Sequence, residues 1–332
     1  MHYGVDIKEN EILALDPSLL DILLIDRSLS MKTGRVENIF WATNDYQHLG
    51  KGFQYKDQIQ INSITENNEG VIMPRILKEK QLQQARVRDK AEVFTPSWIC
   101  NTQNNIADFK WFGRENVFNT EIIQNGVHSW ITNENKILFP KGKTWKSYVK
   151  STRLEVACGE APYIASRYDT TTGDYISVRQ RVGLLDRKLR VIAENTDSPD
   201  DWKKWARIAF QNTYGFEWQG DNLILAREAL LSTYIESFVD KFLIKPELED
   251  LLPIAEIVSW NIWQMDGLKG VIPDSCHEED ISDTIFEDND QSSKQKCIGC
   301  RKNILRAHNG VYCYIMDWEK GVPIQFISLI NR

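Results

Sequence analysis

The stretch Leu154-Glu155-Val156-Ala157-Cys158-Gly159-Glu160-Ala161-Pro162 decides how this chain is read. Arg153–Ala157 has the character of a strand running into the Cys158-Gly159 turn, and small turn residues let the backbone approach a ligand closely. About sixty residues on, Thr213-Tyr214-Gly215-Phe216-Glu217-Trp218 reads as a second strand ending on an acid. Asp221 then caps a long helix in which Leu223, Ala226, Leu230, Tyr234 and Phe238 recur at three-to-four spacing. Ile257–Trp263 reads as a third strand, ending near Asp266-Gly267. Between the first two strands, Ser198 and Pro199 open a helix with Trp202, Trp205, Ile208 and Ala209 on one stripe. Strand, crossover, strand, helix, strand predicts an α/β domain with a largely parallel sheet.

In such a sheet ligands bind outside the carboxyl ends of the strands. Three strand ends are on offer: the Glu155–Gly159 turn, Glu217 and Asp266. An acid after the second strand can accept both hydroxyls of a ribose, and a polar residue after the third can meet an adenine amino group. Together these are the requirements for holding an adenosine moiety.

Upstream, Lys78–Lys90 is charged and helix-compatible. In Glu92-Val93-Phe94-Thr95-Pro96-Ser97-Trp98-Ile99, Pro96 holds Thr95 extended, and Thr95 or Ser97 can cap a helix from Trp98 towards Ala107. Residues 1–85 mix short β-like runs, Asp21–Asp26, Asn38–Ala42 and Gln58–Ile64, with turn residues, which predicts an N-terminal β-rich region. Residues 109–150 are aromatic-rich, and Asn125-Gly126 is a turn signal.

Four elements carry a resemblance. Phe94-Thr95-Pro96 resembles the F-T-P element that precedes the cofactor domain of type I and related N6-adenine DNA methyltransferases. Glu155–Gly159 resembles their D-P-A-C-G turn, with Val156 in place of the proline and Ala161 in place of a second glycine. Tyr214–Glu217 with Asp221–Leu231 resembles the ribose-binding strand and its helix, and Asn261–Asp266 the adenine-side acid. From Trp41-Ala42-Thr43 to Leu329 the chain is similar to short bacterial restriction-system methylation subunits. The resemblance implies a Rossmann-like methyltransferase fold at 86–270, S-adenosylmethionine as cofactor, DNA as substrate and a restriction or specificity subunit as partner. It implies that Phe94 packs on the cofactor and Thr95 and Pro96 shape its pocket. Glu155, Ala157, Cys158 and Gly159 would line the turn, Glu217 bind the ribose and Asp266 face the adenine.

The family grips its target adenine with N-P-P-Y or D-P-P-Y, and neither tetrapeptide occurs here. Asp317-Trp318, an acid and an aromatic after Ile315-Met316, are the catalytic candidates that remain. The expected activity is DNA adenine-N6 methylation; the alternative is a non-catalytic methyltransferase-like module that binds cofactor or DNA in a defence complex. The stretch Tyr168–Asn195 is an insertion, and its Arg179, Arg181, Arg187, Lys188 and Arg190 offer either a solvated face or a DNA track.

Residues 271–332 form a third region, an acidic loop at 278–290 followed by a cysteine-rich segment and C-terminal strands. Cys297-Ile298-Gly299-Cys300 with His308 and Cys313 has the spacing of a structural zinc knuckle, and Cys276-His277 is taken as an incidental pair. Six cysteines in 332 residues fit a reducing compartment. A net charge of −7 excludes a generally basic DNA-binding surface. No apolar run suits a signal peptide or membrane span, so a cytoplasmic protein is expected.

Overall fold

Two aspartates set the start of the chain. The structure, a computed structural model, describes residues 5–90, 95–281 and 293–330. Within it, α1 (Glu9–Leu15) and α2 (Pro17–Leu24) meet at Asp16, whose carboxylate accepts the Ser18 N–H at 2.8 Å. Asp26 caps α3 (Arg27–Thr33) through the Leu29 N–H, also at 2.8 Å, and Gly34 closes that helix in the left-handed region. Leu19, Leu20, Leu23 and Leu24 are fully buried at helical spacing. The expected β-rich N-terminal region is therefore corrected. Asp21–Asp26 belongs to α2 and the turn after it, because two capped helix starts outweigh the β-compatible side chains. Isolated bridges, Ile25 with Asn38 and Phe40 with Gln58, are the extended pairings described there.

The charged helix α4 (Lys80–Lys90) and α5 (Ser97–Phe112) follow. Neither Thr95 nor Ser97 caps α5 with its side chain; the Ser97 N–H is instead accepted at 2.7 Å by Asp169, from far along the chain. Strands β1 (Asn119–Gln124) and β2 (Val127–Thr132) form an antiparallel hairpin whose Asn125-Gly126 turn has φ of +52° and +79°. A short helix, α6 (Trp145–Val149), leads into the central sheet.

That sheet has three parallel strands in the order β3 (Arg153–Val156), β4 (Thr213–Glu217), β5 (Ile262–Gln264). Helices α7 (Leu184–Asn195) and α8 (Pro199–Gln211) cross from β3 to β4; α9 (Gly220–Phe242) and α10 (Leu248–Asn261) cross from β4 to β5. The third strand is shorter than expected: Ile257–Asn261 ends α10, and only Ile262–Gln264 is extended. Alternation along the strands feeds two cores. Ile262 joins the main core with Leu223, Leu230 and Ile254, while Phe216 and Trp263 pack against Ile272, Cys313 and Ile315. The main core also takes in Leu20, Trp41 and Ile59, so it runs across residue 85.

Every residue of α9 from Gly220 to Phe238 is buried. Its Arg227 spends its donors on main-chain oxygens of Leu23, Ile25, Ser259 and Ile262, joining α2, α10 and β5. Burial lowers that guanidinium to about 9. At the other side of the sheet β3 has no neighbour beyond it among the described residues, and Leu154 and Val156 are 42% and 66% exposed. The remainder comprises the hairpin β6 (Glu278–Ile281)–β7 (Ser293–Lys296), α11 (Ile298–Lys302) and the hairpin β8 (Tyr314–Asp317)–β9 (Val322–Gln325). The chain is thus mixed α/β with eleven α-helices among the described residues, none long and apolar enough to cross a membrane.

Candidate functional site

The carboxyl ends of β3 and β4 open into a cavity of about 560 Å³. Leu154 through Glu160 form one side, Glu217, Gln219 and Asn222 another, and Thr95, Gln103, Asn104 and Thr170 a third. The turn is conformationally loaded. Ala157, Gly159 and Ala161 all have positive φ, +50°, +53° and +60°. Alanine in that region costs about 1–2 kcal/mol, so neighbouring contacts must hold the turn in shape. The Cys158 N–H donates to the Phe216 carbonyl at 2.8 Å, and the Ala161 N–H to the Cys158 carbonyl at 2.7 Å. Beneath the turn Gly215 leaves room for Cys158; a Cβ there would stand 3.2 Å from its sulfur.

Two nearly buried carboxylates flank the turn. Glu217 accepts the Gly159 N–H at 2.8 Å and the Gln219 N–H at 3.2 Å, one on each oxygen. Glu155 accepts the N–H groups of Ile164 at 3.2 Å and Tyr163 at 3.4 Å. Burial pushes both acids above the usual glutamate range, against the pull of those N–H donors, and Glu217 adds to the effect at Glu155. A carboxylate has about four lone-pair sites, so Glu217 keeps acceptor capacity for a hydroxyl donor in the cavity.

Of the residues singled out from sequence, Thr95, Glu155, Ala157, Cys158, Gly159 and Glu217 line this one cavity. Phe94 lies outside the described residues. Pro96 precedes α5 and is not part of the lining. Asp266 is corrected: it closes its own turn, accepting the N–H groups of Leu268 and Lys269 and pairing with the Lys269 ammonium at 2.9 Å. Asp317 and Trp318 are corrected as well. Trp318 donates to Asn261 at 2.8 Å, and Asn261 in turn donates to the carbonyl of Thr213, the first residue of β4. Both therefore stand at the amino end of the sheet, opposite the cavity, with Asp317 paired to Lys320 at 3.1 Å.

The basic insertion is largely internal, neither solvated face nor DNA track. Arg187 is buried on Asp108 at 2.6 Å and Asn101 at 2.8 Å, and Arg181 on Glu236. Lys188 donates to the carbonyls of Ser151 at 2.7 Å and Asn212 at 2.9 Å, strapping the entries of β3 and β4 together; burial holds its ammonium well below the usual lysine range. Arg179 alone of the five is strongly exposed.

A second site lies in the C-terminal region. Cys276, Cys297, Cys300 and His308 bring three sulfurs and one ring nitrogen within 4.8 Å of one another. The sulfurs stand 3.6, 3.7 and 3.6 Å from His308 Nδ1. Tetrahedral zinc with Zn–S near 2.3 Å and Zn–N near 2.05 Å requires an S···N edge of about 3.6 Å. The donor set and its spacing thus suit a metal ion such as zinc. Gly299 is obligatory for it, since a Cβ there would come within 2.6 Å of His308 Nδ1. The expected fourth ligand, Cys313, is corrected to Cys276. Cys313 is fully buried in the smaller core and directs its thiol to the Gln264 carbonyl. The antiparallel pairing of β6 with β7 brings Cys276 and Cys297 to the same end of that pair.

Sequence reasoning also passed over Arg75, Gln103, Asn104, Tyr163, Thr170, Gln219 and Asn222 in the cavity wall. Apart from Asn222, they belong to segments without a recognisable motif. The one usable signal is positional: Gln219 and Asn222 bracket the start of α9, next to Glu217. Comparison with family models, with curated proteins and with solved structures returns no match for this chain.

Proposed function

We propose that the cavity holds the adenosyl cofactor S-adenosylmethionine and that the chain is a DNA adenine-N6 methyltransferase or the methylation subunit of a restriction-modification system. One observation carries the reading. Two adjacent parallel strands deliver a small-residue turn and a nearly buried glutamate to one cavity at their carboxyl ends, and Thr95, next to the F-T-P-like proline, joins them there. That is where a doubly wound sheet holds its nucleotide. Glu217 would accept the ribose hydroxyls, and the Ala157–Gly159 backbone would pass beside the methionine part. When bound, the cofactor supplies an electrophilic methyl group. The protein's share is alignment of donor and acceptor.

Isothermal titration of the full chain with S-adenosylmethionine tests this. Binding that weakens about 10–100-fold in Glu217→Gln is expected, the worth of hydrogen bonds to a charged acceptor. Absence of binding, or a Glu217→Gln variant that binds like the parent, would sink the reading.

A second reading has its own support. Asp317 and Trp318 face away from the cavity, and β3 borders no further strand among the described residues, so nothing described here presents a target base. On that reading the chain is a non-catalytic methyltransferase-like module that binds cofactor or DNA in a defence complex. N6-methyladenine produced by the purified chain alone would exclude it.

A further inference from the structure

We propose that Arg86 is a positioning residue for Glu217, acting through Gln219. The inference rests on the reading of Glu217 as the acid that accepts ribose hydroxyls.

Arg86 sits on α4, a helix whose composition, Lys80-Gln81-Leu82-Gln83-Gln84-Ala85-Arg86-Val87-Arg88, suggests a solvated rod. The side chain is instead 1% exposed and enters a socket made by three separate segments. Nη1 donates to Asp45 and to Asp221, each at 2.7 Å. Nη2 donates to Gln219 Oε1 at 2.6 Å and to Asn222 at 3.3 Å. Asp221 is further held by Lys78 at 3.1 Å and the Tyr46 hydroxyl at 2.8 Å.

Most of that socket is simply a buried ion-pair cluster that fastens α4 to the start of α9. Gln219 makes it more. Its side chain belongs to the socket, while its backbone N–H donates to Glu217 Oε1 at 3.2 Å. The other Glu217 oxygen takes the Gly159 N–H at 2.8 Å. A continuous chain therefore runs from Arg86 through Gln219 to Glu217 and on to the cofactor turn. A guanidinium is planar, with donors in a fixed fork, so it sets the direction of Gln219 as well as its distance. With Gln219 fixed, one lone pair of Glu217 Oε1 is committed, and the carboxyl is held where it lines the cavity. A lysine could supply the charge to Asp221 but not the second, angled donor to Gln219.

The test compares adenosine with 2′-deoxyadenosine, titrated calorimetrically into the full chain. The wild type should prefer adenosine by about tenfold or more, the worth of one hydrogen bond to a charged acceptor. Arg86→Gln should bring that preference close to unity. Gln219→Leu, which leaves the Arg86–Asp221 pair in place, should do the same without large loss of thermal stability, which covers the event that Arg86→Gln fails to fold. Asp45→Asn should lower thermal stability yet keep the preference, since Asp45 takes a bond from Nη1 of Arg86 and not from Nη2, the nitrogen that holds Gln219. Arg86→Lys should restore stability without restoring the preference. Retention of the wild-type preference in Gln219→Leu, or equal weakening of both ligands, overturns the proposal while leaving the cofactor reading intact. A wild type that binds adenosine without discriminating against the deoxy form, or binds neither, overturns both.

Discussion

The two candidate sites are built in opposite ways. The cavity draws its walls from residues spread between Arg75 and Asn222, and packed helices and buried ion pairs hold those segments in register. The cysteine cluster takes three of its four donors from the twelve residues between Cys297 and His308, and short hairpins and turns surround it. Its apolar support is slight: of the four donor residues only Cys297 and His308 are buried. The first site is a product of the fold. The second resembles those small segments in which the metal itself provides the ordering free energy.

Metal removal should break this contrast most visibly. Purified protein should carry one zinc per chain, and Cys276→Ser should lose it while Cys313→Ser retains it, measured by metal analysis. Binding free energies of about 10 kcal/mol or more are typical of such sites. Chelation should therefore abolish hydrogen-exchange protection around Cys297–Cys313 while α9 stays protected. Equal loss of protection in α9 would show that the two regions are one cooperative unit.

The next effect in size belongs to the cavity's frame. Burial works against ionisation of Asp221, but Arg86 and then Lys78 overcome it and hold the carboxyl far below the usual aspartate range. Removing it takes from the buried Lys78 its carboxylate partner and leaves Arg86 with Asp45 as its remaining one. Asp221→Ala should cost about 3–5 kcal/mol in denaturant unfolding, and zinc content should not change. Because the folded-state value is depressed, this stabilisation is present above the ordinary 3.8 and is lost as pH falls below it.

Glu217 has the opposite sign. Its folded-state value is raised, so its ionisation in the apo protein opposes stability as pH rises above the ordinary 4.5. A ligand that needs the carboxylate reverses the consequence: adenosine affinity should climb as pH rises above that value. Titrations at several pH values would check this, and a flat profile in the wild type would contradict the assignment, whereas Glu217→Gln should be flat.

The smallest expected effect concerns the turn. Ala157 is exposed and left-handed, so Ala157→Gly should stabilise the protein by no more than about 1 kcal/mol, because relief of strain is offset by the greater freedom of glycine in the unfolded chain. Thermal melting resolves that, and a clear loss of stability would mean that the methyl group packs usefully.

Much of the central architecture was legible because it is written in local patterns. Strands β3 and β4 announce themselves by pattern, the helix at Ser198 by its cap and the long helix α9 by its spacing, although Asp221, expected as its cap, lies inside the first turn and Gln219 holds the N-cap position without a side-chain bond. Ile257–Trp263 did not, because an unbroken apolar run fits a buried helix end as well as a strand, and here Leu251, Ile254, Ala255 and Val258 continue the helical face. The N-terminal helices are obscured for a related reason: leucine and isoleucine runs suit strands as well as helices, and only the caps at Asp16 and Asp26 separate the two. In the cavity, the strand-end residues could be named in advance, but the wall contributed by Gln103, Asn104 and Tyr163 depends on how α5 docks, which no short motif encodes. Cys276 was missed because its partnership with Cys297 depends on a hairpin rather than on spacing.

The bare outer edge of β3 has a kinetic side. Leu154 and Val156 line the cavity yet remain 42% and 66% exposed, so one flank of the site is open to solvent. A molecule bound against that flank would leave as its hydrogen bonds release. At association rates of about 10⁶ M⁻¹s⁻¹ and a dissociation constant of about 10 μM, residence would last about a tenth of a second. Such rapid exchange is what an edge strand with no further neighbour among the described residues would permit.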